Sequence, residues 1–225
     1  GGTVNSSTSW NVAARRTYAD RFVSLLSDNQ LPYWFTDVQA HVRHRLPNGG
    51  TVTTTAYWGS DVLDAALAAF GDSAQAGGGD LNFDWGNSLV GVAYTQPLAR
   101  LAGGDSARIM QRLSRTGFGT TLDLGSGSVT FTNRLSDTRA WGEVTRWSGR
   151  QETLLGYEWS AYKLRYDINA PAAGTEDLLK VRQNPSAVSA YVDHTIRGRR
   201  FNARLGLRAE TVTGTGWTGL SPRFS

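Results

Sequence analysis

The chain has 225 residues, 40% of them apolar and 19% charged, with a formal net charge of +4 and a pI near 9.6. It lacks cysteine, which excludes a disulfide framework and thiolate metal sites. A mean hydropathy of −0.35 and the lack of any apolar run near the ~18 residues of a membrane helix exclude a helical span, but not a transmembrane barrel.

The pattern has a period of two from its first clear element. Trp10, Val12 and Ala14 alternate with Asn11, Ala13 and Arg15, and neighbouring side chains of a strand point to opposite faces. Arg15 therefore joins a polar face, while Arg16 falls on the apolar side. An arginine facing lipid costs ~2–4 kcal/mol at the bilayer midplane and ~0–1 near the interface. The strand is expected to leave the hydrocarbon at Arg16, with Tyr18 at headgroup level. A connection over about Asp20–Leu31 follows.

The next strand carries Trp34, Thr36, Val38, Ala40, Val42, His44 and Leu46 on one face. Phe35, Asp37, Gln39, His41, Arg43 and Arg45 form the other. Pro47-Asn48-Gly49-Gly50 is hairpin material. A long connection is expected over Gly59–Asp84, with a helix-like patch at Val62–Phe70. The turn Leu98–Asp105 joins strands near Leu89–Thr95 and Ala107–Arg115, and Thr116–Gly127 reads as another long connection. The strand holding Trp141 and Trp147 shows period-two character without a facing that these residues settle.

Ser148-Gly149-Arg150 forms the next hairpin. Leu155, Tyr157, Trp159 and Ala161 then alternate with Gly156, Glu158, Ser160 and Tyr162. After a connection over Ile168–Asn184, Val188, Ala190 and Val192 alternate with Ser189, Tyr191 and Asp193. Arg197-Gly198-Arg199 turns the chain into a final clear strand. There Phe201, Ala203, Leu205, Leu207 and Ala209 oppose Asn202, Arg204, Gly206 and Arg208, with Glu210 following. This makes about ten antiparallel strands of roughly 9 to 13 residues, near the ~9–11 that cross a bilayer at a tilt. Short and long connections alternate, as in an up-and-down transmembrane barrel with short periplasmic turns and long extracellular loops. One all-β domain over 1–225 is expected.

Five ordered blocks carry a family resemblance. SWNVAARRTYADRF, then LPYWFTDVQAHVRHRLPNGGTVTTTAYWGSDVLDA, FDWGNSLVGVAY, LLGYEWSAYKLRYDINAP and AVSAYVDHTIRGRRFNARLGLRAE with LSPRFS together resemble the barrel of TonB-dependent outer-membrane receptors. The flavour is that of the subgroup with a carboxypeptidase-like regulatory domain before the plug. Such barrels have about 22 strands, so the resemblance implies a contiguous piece of one, without its plug domain, TonB box or terminal aromatic strand. It also implies an outer-membrane location in a Gram-negative bacterium and import of a scarce, bulky solute such as a siderophore, oligosaccharide or vitamin. The TonB complex would act indirectly, through the plug. Outer-membrane lipid is the other expected partner; no cofactor and no enzymatic activity are implied. The alternatives are a self-contained porin-like barrel and a soluble β-sandwich that binds carbohydrate.

The polar face supplies the candidate residues that would line the lumen and meet the plug: Arg15, Asp37, Arg43, Arg45, Glu158, Arg165, Asp193, Arg204, Arg208 and Glu210. Cross-strand ion pairing is their simplest role. Tyr18, Trp34, Trp58 and Trp85 are candidates for an interfacial aromatic girdle. His41 and His44 lie on opposite faces and cannot share a metal, and His194 has no evident partner. Gly77-Gly78-Gly79-Asp80 with Asp84 is a single copy of a calcium-repeat-like pattern, short of the ligands that a site requires. The scattered arginines match a polar sheet face better than a recognition helix, so no nucleic-acid partner is expected.

Overall fold

A strand satisfies its backbone N–H and C=O groups only by pairing along its edges. In the computed structural model, which describes residues 1–17, 33–66, 80–98, 105–125, 129–171 and 175–225, pairing runs in chain order. The strands are β1 (Gly2–Asn5), β2 (Thr8–Arg16), β3 (Tyr33–Arg45), β4 (Thr51–Ala66), β5 (Asp80–Leu98) and β6 (Ser106–Leu124). They continue as β7 (Val129–Ser148), β8 (Gln151–Ala170), β9 (Thr175–Gln183), β10 (Ser186–Arg197), β11 (Asn202–Val212) and β12 (Trp217–Phe224). All twelve are antiparallel neighbours in one up-and-down sheet, with β9 and β10 sharing one edge of β8. β1 and β12 stand at the two ends of the strand order, and the sheet is not closed.

Several expectations are corrected. The described residues form twelve strands where about ten were expected, and β5 to β8 run to 19 or 20 residues. The supposed helix-like patch is the end of β4 as far as Ala66, and its remainder lies outside the described residues. Much of Gly59–Asp84, Thr116–Gly127 and Ile168–Asn184 is strand rather than connection. Nor do short and long connections alternate throughout. β11 and β12 are joined by Thr213 to Gly216, as short as the turns at the other end, with Gly214 and Gly216 at φ +90° and +66°.

The sheet is inside-out relative to a soluble protein. Among the described residues only Ala107 and Ala170 are buried apolar residues, and no large side chain is fully buried. The buried set is polar instead, and Asp37, Thr145, Ser160, Ser189 and Asp193 all lie on one face. The opposite face exposes Val12, Val38, Val42, Val92, Leu113, Leu155, Val192 and Leu207. Register ties that face together: Trp10, Val42, Thr54, Val92, Leu113, Ala140, Trp159 and Val188 stand directly opposite one another from β2 to β10. A sandwich would pack this row against a second sheet, and none is present among the described residues. Such a surface suits a hydrocarbon solvent.

Strand length explains the misread connections. Twenty residues at about 3.3 Å each reach roughly 66 Å, far more than a tilted strand needs to cross an apolar band about 25 Å tall. On β8 the outward apolar set ends at Ala161, and Lys163, Arg165 and Asp167 follow on the same face. Beyond the band the outward face turns polar and the inward face turns apolar. The two faces thus exchange character along the same strands.

Candidate solute-binding wall and its ion-paired lining

Within the band, the polar face is built from arginine–carboxylate pairs that form within strands, between neighbouring strands and, from β11 to β8, across β10. Arg15 bonds Asp37 directly across β2 and β3, with its guanidinium 5.2 Å from the Phe35 ring centre. Arg204 of β11 holds Asp193 of β10 at 3.0 Å, and that carboxylate is only 5% exposed. Glu158 sits between two arginines, 3.4 Å from Arg139 and 3.6 Å from Arg208; Arg208 also reaches Glu210 at 3.1 Å. Arg139 in turn pairs with Asp137 at 3.0 Å.

This network extends through aromatic polar groups. Trp141 Nε1 donates to the Tyr191 hydroxyl, which donates to Glu143 Oε1, both at 2.8 Å. Arg112 lies 5.9 Å over the Trp141 ring and Arg208 5.7 Å over that of Tyr191. Gly156 makes room for the Tyr191 ring, which a Cβ there would overlap. The result is a continuous polar lattice over β6, β7, β8, β10 and β11. Opposite charges placed directly or diagonally across strands each stabilise the sheet by roughly 0.2–1 kcal/mol.

Above the band the inner face changes chemistry. Tyr33, Leu63, Phe83, Leu122, Phe131, Ile168 and Leu179 form one register row from β3 to β9. Two residues lower on the strands, Trp85 stacks on Tyr33 with ring centres 6.0 Å apart and meets Phe83 at a tilt with ring centres 4.8 Å apart. The Tyr33 hydroxyl donates to Asp61 at 2.8 Å. A broad apolar and aromatic wall with polar tips therefore lines the upper inner face, able to bind a large solute by stacking and dispersion.

Most expected lumen residues share the polar face. Arg43 and Arg45 line a small cleft of about 100 Å3 with Thr3, Asn5 and Ser7 near the short-turn end. Arg165 does not belong to this set. Its register partners, Arg134 and Arg182, place it on the same face as Leu155 and Trp159, because it lies an odd number of positions along the strand from Glu158. Of the aromatic candidates, Trp58 is on the outward face, 51% exposed, at the top of the band. Trp34 shares that face farther out, whereas Trp85 points inward and cannot be part of a girdle. Tyr18 lies outside the described residues.

The sequence reading missed Asp137, Arg139, Trp141, Glu143 and Tyr191 as members of one network. A signal was available in β7, where the odd positions carry all of Asp137, Arg139 and Glu143 while Ala140, Gly142 and Val144 alternate with them. Each histidine bonds a threonine directly opposite: His44 with Thr8 at 2.8 Å, His41 with Thr55 at 3.1 Å and His194 with Thr153 at 2.9 Å. No group of three or more metal-ligating side chains occurs among the described residues. Asp80 and Asp84 lie on β5.

No protein-family model and no curated protein matches the sequence. Solved structures do match in fold. The ferric yersiniabactin uptake receptor FyuA from Yersinia pestis aligns over 100% of this chain and 39% of its own, with a TM-score of 0.55 at 11% identity. FpvA of P. aeruginosa, solved with a bound pyoverdine–iron complex, aligns over 85% and 32% with a TM-score of 0.56 at 11% identity. The ferric citrate transporter FecA aligns over 86% and 32% with a TM-score of 0.50 at 12% identity. The chain thus spans about a third to two fifths of the length of these proteins. Its fold is that of a contiguous stretch of barrel wall from the TonB-dependent outer-membrane receptors.

Proposed function

We propose that the chain forms part of the wall of an outer-membrane receptor that imports a scarce, bulky solute with energy delivered by the TonB complex. A plug held elsewhere in the same protein would receive that energy and pack against the ion-paired inner lattice. The exchange of character between the two faces carries this reading. A band of apolar side chains facing out calls for lipid, and an aromatic wall facing in above that band calls for a solute arriving from outside. The chemistry is binding and passage, without bond breaking. Ferric chelates are the cargo named for FyuA and FecA, so they are the first solute class to test here. The open sheet favours a larger barrel over a self-contained pore.

The test separates the faces and then the activity. In single-tryptophan versions of the receptor, bilayer-buried brominated lipid should quench Trp58, and water-soluble acrylamide should quench Trp85. Trp85→Ala should weaken capture of the transported chelate while leaving assembly in the outer membrane unchanged. Quenching of both tryptophans by lipid alone would refute the facing, and chelate uptake that persists without TonB would refute the energy source.

A further inference from the structure

From the register row of Asp37 toward the short turns, the inner face divides into two halves of different electrical character. The half on β3 to β6 carries Arg43, Arg45, Arg108 and Arg112, and beyond that row its described inner residues include no carboxylate. None of the four arginines forms an ion pair with a described residue. Arg108 and Arg112 lie 5.3 and 5.9 Å from the ring centres of Trp147 and Trp141. An aromatic face attracts a cation without neutralising it. The half on β7, β8, β10 and β11 is built otherwise. There Asp137, Glu143, Glu158, Asp193 and Glu210 are each bonded by an arginine or tyrosine of the same half.

Register sets the boundary between β6 and β7. His41, Thr55, Gly91 and Ser114 stand in one row, which meets Arg139. Arg43, Thr53, Ala93 and Arg112 stand in the next, which meets Trp141. Two recesses, of about 320 and 460 Å3, lie beside these rows and share Arg112 and Ser114. The first reaches His41 and the second reaches Asp137, Arg139 and Glu158. Unneutralised cations therefore border open volume on one half, whereas ion pairs and aromatic rings fill the other.

We propose that the imported solute is an anion and passes the plug along β3 to β6, while the plug stays seated on β7 to β11. Walls lined by one sign of charge raise the local concentration of a counter-ion by roughly 10- to 1,000-fold. Arg43 and Arg112 supply that field, and guanidinium groups suit carboxylate or phosphate oxygens through charge-assisted hydrogen bonds. The ion-paired half has little charge left over for a mobile anion, and its fixed network suits a domain that stays in place. The inference rests on the receptor-wall reading and adds the charge and the path of the solute.

The experiment uses the intact receptor that carries this chain, in living cells, with Ser114→Cys as its only cysteine. Two thiol reagents are compared, the anionic sulfonatoethyl and the cationic trimethylammonioethyl methanethiosulfonate. Each rate is divided by that reagent's rate with free cysteine. The anionic reagent should then react about tenfold faster, and its reaction should slow in cells lacking TonB. Arg43→Gln/Arg112→Gln should abolish the preference without changing the amount of receptor in the outer membrane. A thiol that neither reagent reaches in cells with active TonB overturns the proposal, because the plug then covers this half. Equal rates for the two reagents, a preference that survives the double substitution, or a rate indifferent to TonB overturns it as well. A receptor missing from the outer membrane removes the wall reading and this inference with it. One that inserts normally without the preference removes this inference alone.

Discussion

The lower and upper parts of the sheet share strands, pairing and register, yet their faces are reversed. On β8, Leu155, Tyr157, Trp159 and Ala161 face out below, and Leu164, Tyr166 and Ile168 face in above. On β6, Ile109 and Leu113 face out below, and Phe118 and Leu122 face in above. Nothing in the hydrogen-bonded ladder requires the change, since pairing on β5 to β8 is continuous through it. In the proposed outer-membrane wall the solvent would account for it: hydrocarbon tolerates apolar side chains alone, whereas water beyond the band leaves the outer face free to be charged. Depth, and not strand identity, would then assign the chemistry of each residue.

The largest effect expected from this contrast comes from charging the outer face at two depths. Val92→Arg, in the middle of the band, should destabilise the inserted barrel by ~2–4 kcal/mol. Thr121→Arg, on the same face above the band, should fall within about 0.5 kcal/mol of the parent. Urea titration of the protein in lipid, followed by the heat-shifted gel band, measures both. Equal costs would remove the depth boundary.

A smaller effect is expected inside. Gly156→Ala forces the Tyr191 ring out of its place in the polar lattice and should cost about 1–3 kcal/mol. The loss should shrink when Tyr191→Ala is combined with it, since the two residues are in contact and couple. Additive losses in the double-mutant cycle would show that the lattice is not what Gly156 protects.

The smallest effect concerns acid at the short-turn end. Arg146 bonds Asp105 at 2.6 Å, and this bond, with one from Ser148, holds the carboxyl below its ordinary range. A depressed carboxylate contributes its stability in full above the usual value near 3.8 and loses it as pH falls through the lower folded value. Asp105→Asn should therefore flatten the acid limb of the stability profile while leaving its neutral region nearly level, because exposed pairs contribute little. An unchanged acid limb would assign that limb to the other carboxylates.

Legibility in the sequence follows the same boundary. Where every second residue is apolar, as in Val38 to Val42 or Leu205 to Ala209, both strand and facing can be read directly. Where the outer face turns polar, Ser60, Gly86, Gly119 and Asp167 break the contrast, so those strand ends read as loops. Arg165 was misplaced for this reason: its charge suggested the lumen, and only counting register from Glu158 puts it outside. Trp85 fails in the converse way, as an aromatic near a strand end that belongs to the inner wall.

The sequence by itself determined that the chain is all-β, with an apolar and a polar face on each strand, because a period of two leaves few other local solutions. It also determined the Arg15 and Arg16 division, which puts the two side chains on opposite faces of one strand, with Arg16 the last residue of β2. Only the tertiary structure decided which charges meet. Strand order and register join residues far apart in the chain, as Glu158 meets Arg208 across β10, and bring Arg134, Arg165 and Arg182 into one row. Pairing distances of a few ångströms arise from that register, and no local pattern encodes it.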